Sequence, residues 1–276
     1  MSHGQIHRAV DDATSTDAFE YGARAGYAIS AVLHLLVAYI IVRLALNAPT
    51  DGGQNADQSG ALATLGGQTG GAIALWLAAV GLFALALWRL AETVVGSHPN
   101  EPSRSDHGLK KQAKRVKSLA LAVIYCGLAI SAIRFATGQG QSSGQQNAGL
   151  SARLMQSGGG KAVLIVIGLV VIGVGGYHVY KGASQKFLDD LRGSGGSAVT
   201  VTGTVGYLAK GSVLSGAGLL VIIATISADP AKAAGIDAAV KTLGQAPFGR
   251  VLLLASALGI AAYGAYCLVL ARYARM

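Results

Sequence analysis

Apolar residues gather in six blocks along the chain, at about 22–46, 72–95, 115–137, 160–185, 205–227 and 249–273. Each block is apolar almost throughout rather than along one stripe, the pattern of a helix surrounded by protein or lipid. Roughly 20 such residues cross the hydrocarbon of a bilayer as a helix. The pattern predicts six membrane-spanning helices and an all-α integral membrane fold. Three shorter stretches precede the even-numbered blocks: ALATL (61–65), SARLM (151–155) and AAVKTL (238–243). They predict short amphipathic stretches lying at the outer water–lipid boundary. The opening residues, MSHGQIHRAVDDATSTDAFE, lack the apolar core of a signal peptide, so the first span is expected to be retained.

Composition strengthens this reading. Apolar residues make up 52% of the chain and charged ones 13%, about half the usual soluble share. Glycine supplies 39 of the 276 residues, and small residues let helix backbones approach one another in lipid. Cys126 and Cys267 lie in apolar blocks without CxxC spacing and read as buried thiols. The net charge of +9 comes with no basic segment interleaved with aromatics, so no nucleic-acid partner is expected. It follows the loops instead. Fourteen Lys and Arg belong to the side of the termini and the loops after spans two and four, against five on the other side. Both termini are therefore expected to be cytoplasmic, in a multi-pass protein of the inner membrane. The run KKQAKRVK (110–117) contributes most, either as this topology signal or as a contact for anionic lipid.

The blocks repeat in pairs. At a constant offset of 89, Leu65, Leu154 and Leu243 align, as do Gly71, Gly160 and Gly249, and Trp88, Tyr177 and Tyr266. The odd spans align as well, Arg24 with Arg115 and Gly26-Tyr27 with Gly206-Tyr207. Three units of two spans each enter the membrane in the same direction. The expected divisions are a polar segment 1–20, a first unit 21–96, a basic loop 97–111, a second unit 112–186, a linker 187–202 and a third unit 203–276. Three parallel units predict pseudo-threefold symmetry about the membrane normal, unlike the inverted repeats of many transporters. The ring either encloses a cavity or collapses into a solid core.

The segments GYAISAVLH (26–34) and GYLAKGSVL (206–214) carry a resemblance. With the triple repeat, the chain resembles an uncharacterised bacterial, largely actinobacterial, integral membrane family of three two-helix repeats, the domain-of-unknown-function family numbered 1206. That family's pattern is Gly-Tyr, a basic residue, then Gly and an aromatic Tyr. Lys210 and Gly211 fit the basic-Gly pair in the third unit, whereas Ser30 and Leu121 hold the basic position in the others. The aromatic position holds His34, Tyr125 and Leu214. The resemblance implies the six-helix fold and no particular activity.

Polar residues inside the spans are the candidates for function. Gly22, Gly26, Ser30 and His34 are spaced four apart on one stripe of span one, and Gly22 and Gly26 form a GxxxG contact pattern. These, with Gly211, are expected to pack helices, so that His34 faces another helix. His34 reads either as a proton relay or ligand group, or as a neutral imidazole satisfied across a helix contact. Lys210, about one turn inside span five, either snorkels to the interface or points inward to an anionic group. Tyr125, Tyr177 and His178 complete the candidate polar lining. Arg89 and Glu92, three apart, are expected to pair on one helix face.

His34 and His178 differ in depth by roughly 7–8 Å at 1.5 Å per residue, which disfavours a shared haem, and no cofactor is expected. No Asp or Glu lies near the middle of a span, and no Walker loop, HExxH or GxSxG occurs. Neither a metal site nor enzymatic chemistry is expected. Two functions remain open: a site or path for a small solute, ion or lipid, or a non-catalytic accessory subunit docked on another membrane complex. The partners foreseen are membrane lipids and either a membrane protein or a second copy.

Overall fold

A computed structural model describes residues 17–46, 55–95, 108–193 and 196–275. Its spanning helices are α1 (Asp17–Ala45), α3 (Gly71–Val95), α4 (Gly108–Ala136), α6 (Gly158–Ala183), α7 (Ser197–Ser227) and α9 (Gly249–Tyr273). All six are long and apolar enough to cross a membrane. The chain is thus an all-α, multi-pass membrane protein. Between the two spans of each unit lies one short helix: α2 (Gln58–Gly66), α5 (Ser143–Leu154) and α8 (Ile236–Gln245). We call the side of these short helices the linker end, and the opposite side the termini end.

The aligned leucines and glycines mark one recurring corner. A Cβ at Gly71 would run into the Leu65 and Gly66 carbonyls, one at Gly160 into Leu154, and one at Gly249 into Gly244 and Leu243. Only glycine lets the end of each short helix abut the start of the span that follows. The Gly-Gly-Gly at 158–160 is accordingly the first turn of α6, capped by the Ser157 hydroxyl, which accepts from the Gly160 N–H at 3.0 Å.

The main helix pairs join neighbouring units. The second span of each unit packs along the first span of the next: α3 on α4, α6 on α7, and α9 on α1. Small residues seven apart build these seams. Gly168 and Gly175 of α6 meet Gly218 and Gly211 of α7. The equivalent positions are Ala79 and Ala86 against Ala122 and Ala129, and Ala257 and Gly264 against Ala31 and Ala38, all buried. A seven-residue period keeps one seam in contact along two nearly antiparallel helices.

Within units the pattern breaks. Spans α1 and α3 of the first unit pack together, as do α7 and α9 of the third, but α4 and α6 of the second do not pair. The six spans therefore run in the order α4–α3–α1–α9–α7–α6, with the second unit divided between the two ends. Only 17% of the spanning parts of α4 and α6 is buried, against 50% for α1 and α3. The expectation of pseudo-threefold symmetry is corrected to this extent: the neighbour rule between units recurs three times, the one within units only twice. The reason lies in two glycines. A Cβ on Gly26 would lie 2.6 Å from the Gly81 carbonyl oxygen, and one on Gly206 2.6 Å from the Tyr263 backbone. The second unit has Lys117 where these have Gly26 and Gly206, and Val170 where they have Gly81 and Gly259. Its own two spans lack the room to cross closely.

Candidate functional site

Three spans from two units converge on Tyr263 of α9. The Lys210 ammonium of α7 lies 3.9 Å from the centre of its ring, and the His34 imidazole of α1 lies 4.8 Å from it, tilted by 54°. The α7–α9 crossing at Gly206 brings Lys210 there. Lys210 does not snorkel to the termini end. Its ammonium turns onto the tyrosine face instead. Among the described residues it has no hydrogen-bond or ion-pair partner, and it remains partly exposed.

His34 is 7% exposed. Its Nδ1 lies 2.7 Å from the Ser30 carbonyl oxygen, and a carbonyl only accepts, so Nδ1 carries the hydrogen of this bond. In the neutral imidazole Nε2 then presents a bare lone pair. It is buried, and among the described residues nothing hydrogen-bonds it. Ser30 is buried beside it and Cys267 lies against Ser30 and Tyr263. Cys126 is only half-buried. Tyr125, from α4, is partly buried and packs against both main apolar clusters.

Tyr177 and His178 stand on the far side of an aromatic group. His178 stacks on Tyr207 at 5.8 Å, and Tyr207 meets Tyr263 edge-on at 5.3 Å. Two tyrosine rings thus separate His178 from His34, which removes them as a shared ligand pair. The His178 Nδ1–H donates to the Val174 carbonyl at 2.8 Å, and Tyr177 is largely exposed. Tyr207, Tyr266 and Phe187 pack ring on ring at 5.2–5.5 Å, and the Tyr266 hydroxyl donates to the Phe187 carbonyl at 2.7 Å. This group closes the bundle beneath Tyr263 at the termini end. There Lys181 pairs with Asp190 of the 3-10 turn Lys186–Asp190.

The linker end is closed by polar groups from all three units. Asp57 caps α2 and accepts from the Ser59 hydroxyl at 2.6 Å, the Gly60 N–H at 3.0 Å and the Ser143 hydroxyl at 2.6 Å. Asp237 of α8 accepts from the Ala56 N–H at 2.8 Å and the Lys241 ammonium at 2.7 Å. Asn55 donates to Ser142. Both carboxylates are buried and fully engaged, as buried charge requires.

Of the residues expected to pack helices, Gly26 contacts Gly81 and Gly211 contacts Gly175. The surroundings of Gly22, the side chain of Glu92 and most side chains of the run 110–117 lie outside the described residues, as do segments 1–16 and 96–107. Arg89 donates to the Tyr27 hydroxyl at 2.8 Å. Sequence reasoning passed over Tyr263, Tyr207, Asp57 and Asp237. Tyr263 aligns with Leu85 and Val174 in the other units, so a tyrosine confined to one repeat was the available signal.

The family model described as Domain of Unknown Function (DUF1206) matches the chain three times, at residues 25–96, 116–185 and 205–274. The chain is 27% identical over 238 residues to an uncharacterised protein of Bacillus subtilis (strain 168), YxxB, covering 84% of each sequence. No solved structure matches it significantly.

Proposed function

The chain belongs to the DUF1206 family, and on that premise we propose that it binds or passes a small anionic ligand at Tyr263, between Lys210 and His34. We place it in the bacterial inner membrane with both termini cytoplasmic, the side favoured by the excess of Lys and Arg. The observation that carries the reading is that Lys210 and His34 meet the same Tyr263 ring, and that among the described residues neither the Lys210 ammonium nor the Nε2 of His34 has a hydrogen-bond or ion-pair partner. A lysine inside a membrane helix costs up to about 2.5–3.5 kcal/mol on insertion scales, most at the centre. A desolvated cation–π contact returns about 2 kcal/mol. The remainder is offset when an anion accepts from Lys210. A ligand that also carries a hydrogen would satisfy Nε2 in the same act. The reading assigns the protein no catalysis, cofactor or metal.

Native mass spectrometry of the full chain, extracted from its own membrane in mild detergent, tests this. A non-protein mass retained by the wild type and lost in Lys210→Met supports it. Equal retention by both forms counts against it. The accessory-subunit reading rests on Gly127 of α4 and on Gly173 and Gly176 of α6, which have open space where a Cβ would stand and offer close approach to a partner helix or a second copy. A stoichiometric companion in the same spectra would favour that reading.

A further inference from the structure

The two ends of the bundle are closed by different means. At the linker end, bonds to Asp57 and Asp237 tie together backbone and side chains from all three units. At the termini end, closure rests on the segment that joins α6 to α7. Gln185 reverses the chain there in the left-handed region, at φ 56°, and the turn Lys186–Asp190 follows. The end of α9 anchors its far side. Leu191 bridges Ala274, the Arg192 N–H donates to the Tyr273 carbonyl at 2.7 Å, and the Arg275 N–H donates to the Asp190 carbonyl at 2.9 Å. With the backbone held in this way, two side chains of the turn do the closing.

The first is Phe187. It is 0% exposed, although connecting segments ordinarily run over the surface. Its ring stacks on Tyr207 at 5.4 Å and meets Tyr266 edge-on at 5.2 Å. Gly203 makes the seat, since a Cβ there would lie 2.2 Å from the Phe187 ring. The other units carry Ala23 and Lys114 at that position.

The second is Asp190, which pairs with Lys181 of α6. The pair is lopsided: the lysine side chain is 10% exposed and the carboxylate 43%. A buried cation needs a negative partner, whereas a carboxylate that already faces water gives up little by returning to it. Asp190 is therefore an exchangeable counter-ion. Lys181 also sits over the Tyr207 ring at 5.3 Å, Tyr207 meets Tyr263 edge-on at 5.3 Å, and Lys210 lies over Tyr263. Two ammonium groups thus stand on adjoining tyrosines, one beside the turn and one at the ligand site. A charged ligand enters from water rather than from hydrocarbon, and this end offers it a first cation to bind.

Resting on the ligand site of the preceding subsection, we propose that the turn Lys186–Asp190 is a gate for small organic anions, in which Asp190 is the internal carboxylate that holds Lys181 until the ligand replaces it. Phe187 lies three residues from Asp190 on the same turn, so release of the carboxylate loosens the ring in its seat. The ligand then passes from Lys181 to Lys210 along Tyr207 and Tyr263.

Cys267 is a native reporter for this gate. It is 2% exposed, lies against Ser30 and Tyr263, and stands one helical turn from Tyr263 towards the termini end. The full chain with Cys126→Ala, in mild detergent, is treated with the anionic 2-sulfonatoethyl or the cationic 2-trimethylammonioethyl methanethiosulfonate. Mass spectrometry counts the adduct at Cys267, and the ratio of the two rates cancels any change in the thiol itself. Asp190→Asn and Phe187→Ala are each expected to speed the anionic reagent by about tenfold, the lower end of electrostatic steering into a cleft of one sign, and the cationic one less. Lys181→Met is expected to give no such rise, and adding Lys210→Met to Asp190→Asn is expected to abolish the anionic preference. An unchanged rate in Asp190→Asn overturns the gate, whether or not Phe187→Ala folds, and leaves the Lys210 site standing. A rise in Lys181→Met equal to that in Asp190→Asn, for both reagents, makes the ion pair a structural brace and also overturns the gate. An anionic preference that survives Lys210→Met supports the gate and overturns the ligand site at Lys210.

Discussion

Gly175 and Gly211 stand so close that a Cβ on either would lie 2.6 Å from the carbonyl oxygen of the other. The α6–α7 seam therefore has no space for a side chain at its centre. Gly175→Val and Gly211→Val are each expected to destabilise the protein by about 1–3 kcal/mol, the usual cost of overpacking. Gly176→Ala, one residue along α6 with open space around it, is expected to leave stability unchanged or slightly raised, since alanine favours helix over glycine. Thermal unfolding in one detergent compares them. Equal losses at 175 and 176 would contradict the seam.

Lys210 supports a second expectation, opposite in sign. Its ammonium has the Tyr263 face as its described partner, and the insertion cost of a lysine in a span exceeds a cation–π contact by up to roughly 1 kcal/mol. Lys210→Met keeps the length of the side chain and removes the charge. It is expected to raise the unfolding midpoint by a few degrees in the ligand-free protein, about 1 kcal/mol, while abolishing ligand retention. Sites kept for function at a stability cost behave this way. A lowered midpoint would mean that Lys210 is structural.

Much of this arrangement was legible along the chain. The six spans follow from block length alone, and the Leu65/Leu154/Leu243 and Gly71/Gly160/Gly249 alignments mark the corner that the structure places before each second span. The seams between units were equally open to reading. Positions 168 and 175 align with Ala79 and Ala86 and with Ala257 and Gly264, small in every copy. The stripe of Gly26, Ser30 and His34 concealed them, because a GxxxG pattern draws attention to a four-residue period when the contacts between units follow seven. The break in the second unit was written in Lys117 and Val170, but only a comparison of which glycines recur, not how many, reveals it. The convergence on Tyr263 was not legible. It depends on how α9 rotates against α1 and α7, and span periodicity fixes no rotation when a helix is apolar on all sides.

The linker end gives a third expectation. Asp57 is buried and holds Ser143 of the second unit as well as its own helix start. Asp57→Ala leaves the Ser59 and Ser143 hydroxyls and the Gly60 N–H without this acceptor, at a cost of about 4–5 kcal/mol for three bonds to a charged group. Ser143→Ala removes one of them and is expected to cost about 1–2 kcal/mol. The double variant is expected to cost less than the sum of the two. Strict additivity in thermal unfolding would show that the two residues act apart.

Val170 provides the last expectation, since it tests why the second unit stands open. In the first unit a Cβ on Gly26 would lie 2.8 Å from the Leu85 Cβ, and in the third a Cβ on Gly206 lies 3.0 Å from that of Tyr263. The equivalent pair is Lys117 and Val174. A disulfide needs Cβ atoms about 3.5–4.5 Å apart, so Lys117→Cys with Val174→Cys reports whether α4 and α6 have crossed as their counterparts do. With Cys126→Ala and Cys267→Ala in the background, the pair is expected to stay reduced under mild oxidant while Val170 is present. Adding Val170→Gly restores the second of the two missing glycine positions, and the Lys117→Cys change already leaves a small side chain at the first. Cross-linking is then expected to rise. If the pair oxidises equally well with Val170 in place, sterics at that position do not hold α4 and α6 apart. If it stays reduced after Val170→Gly, something besides side-chain bulk keeps the two helices apart.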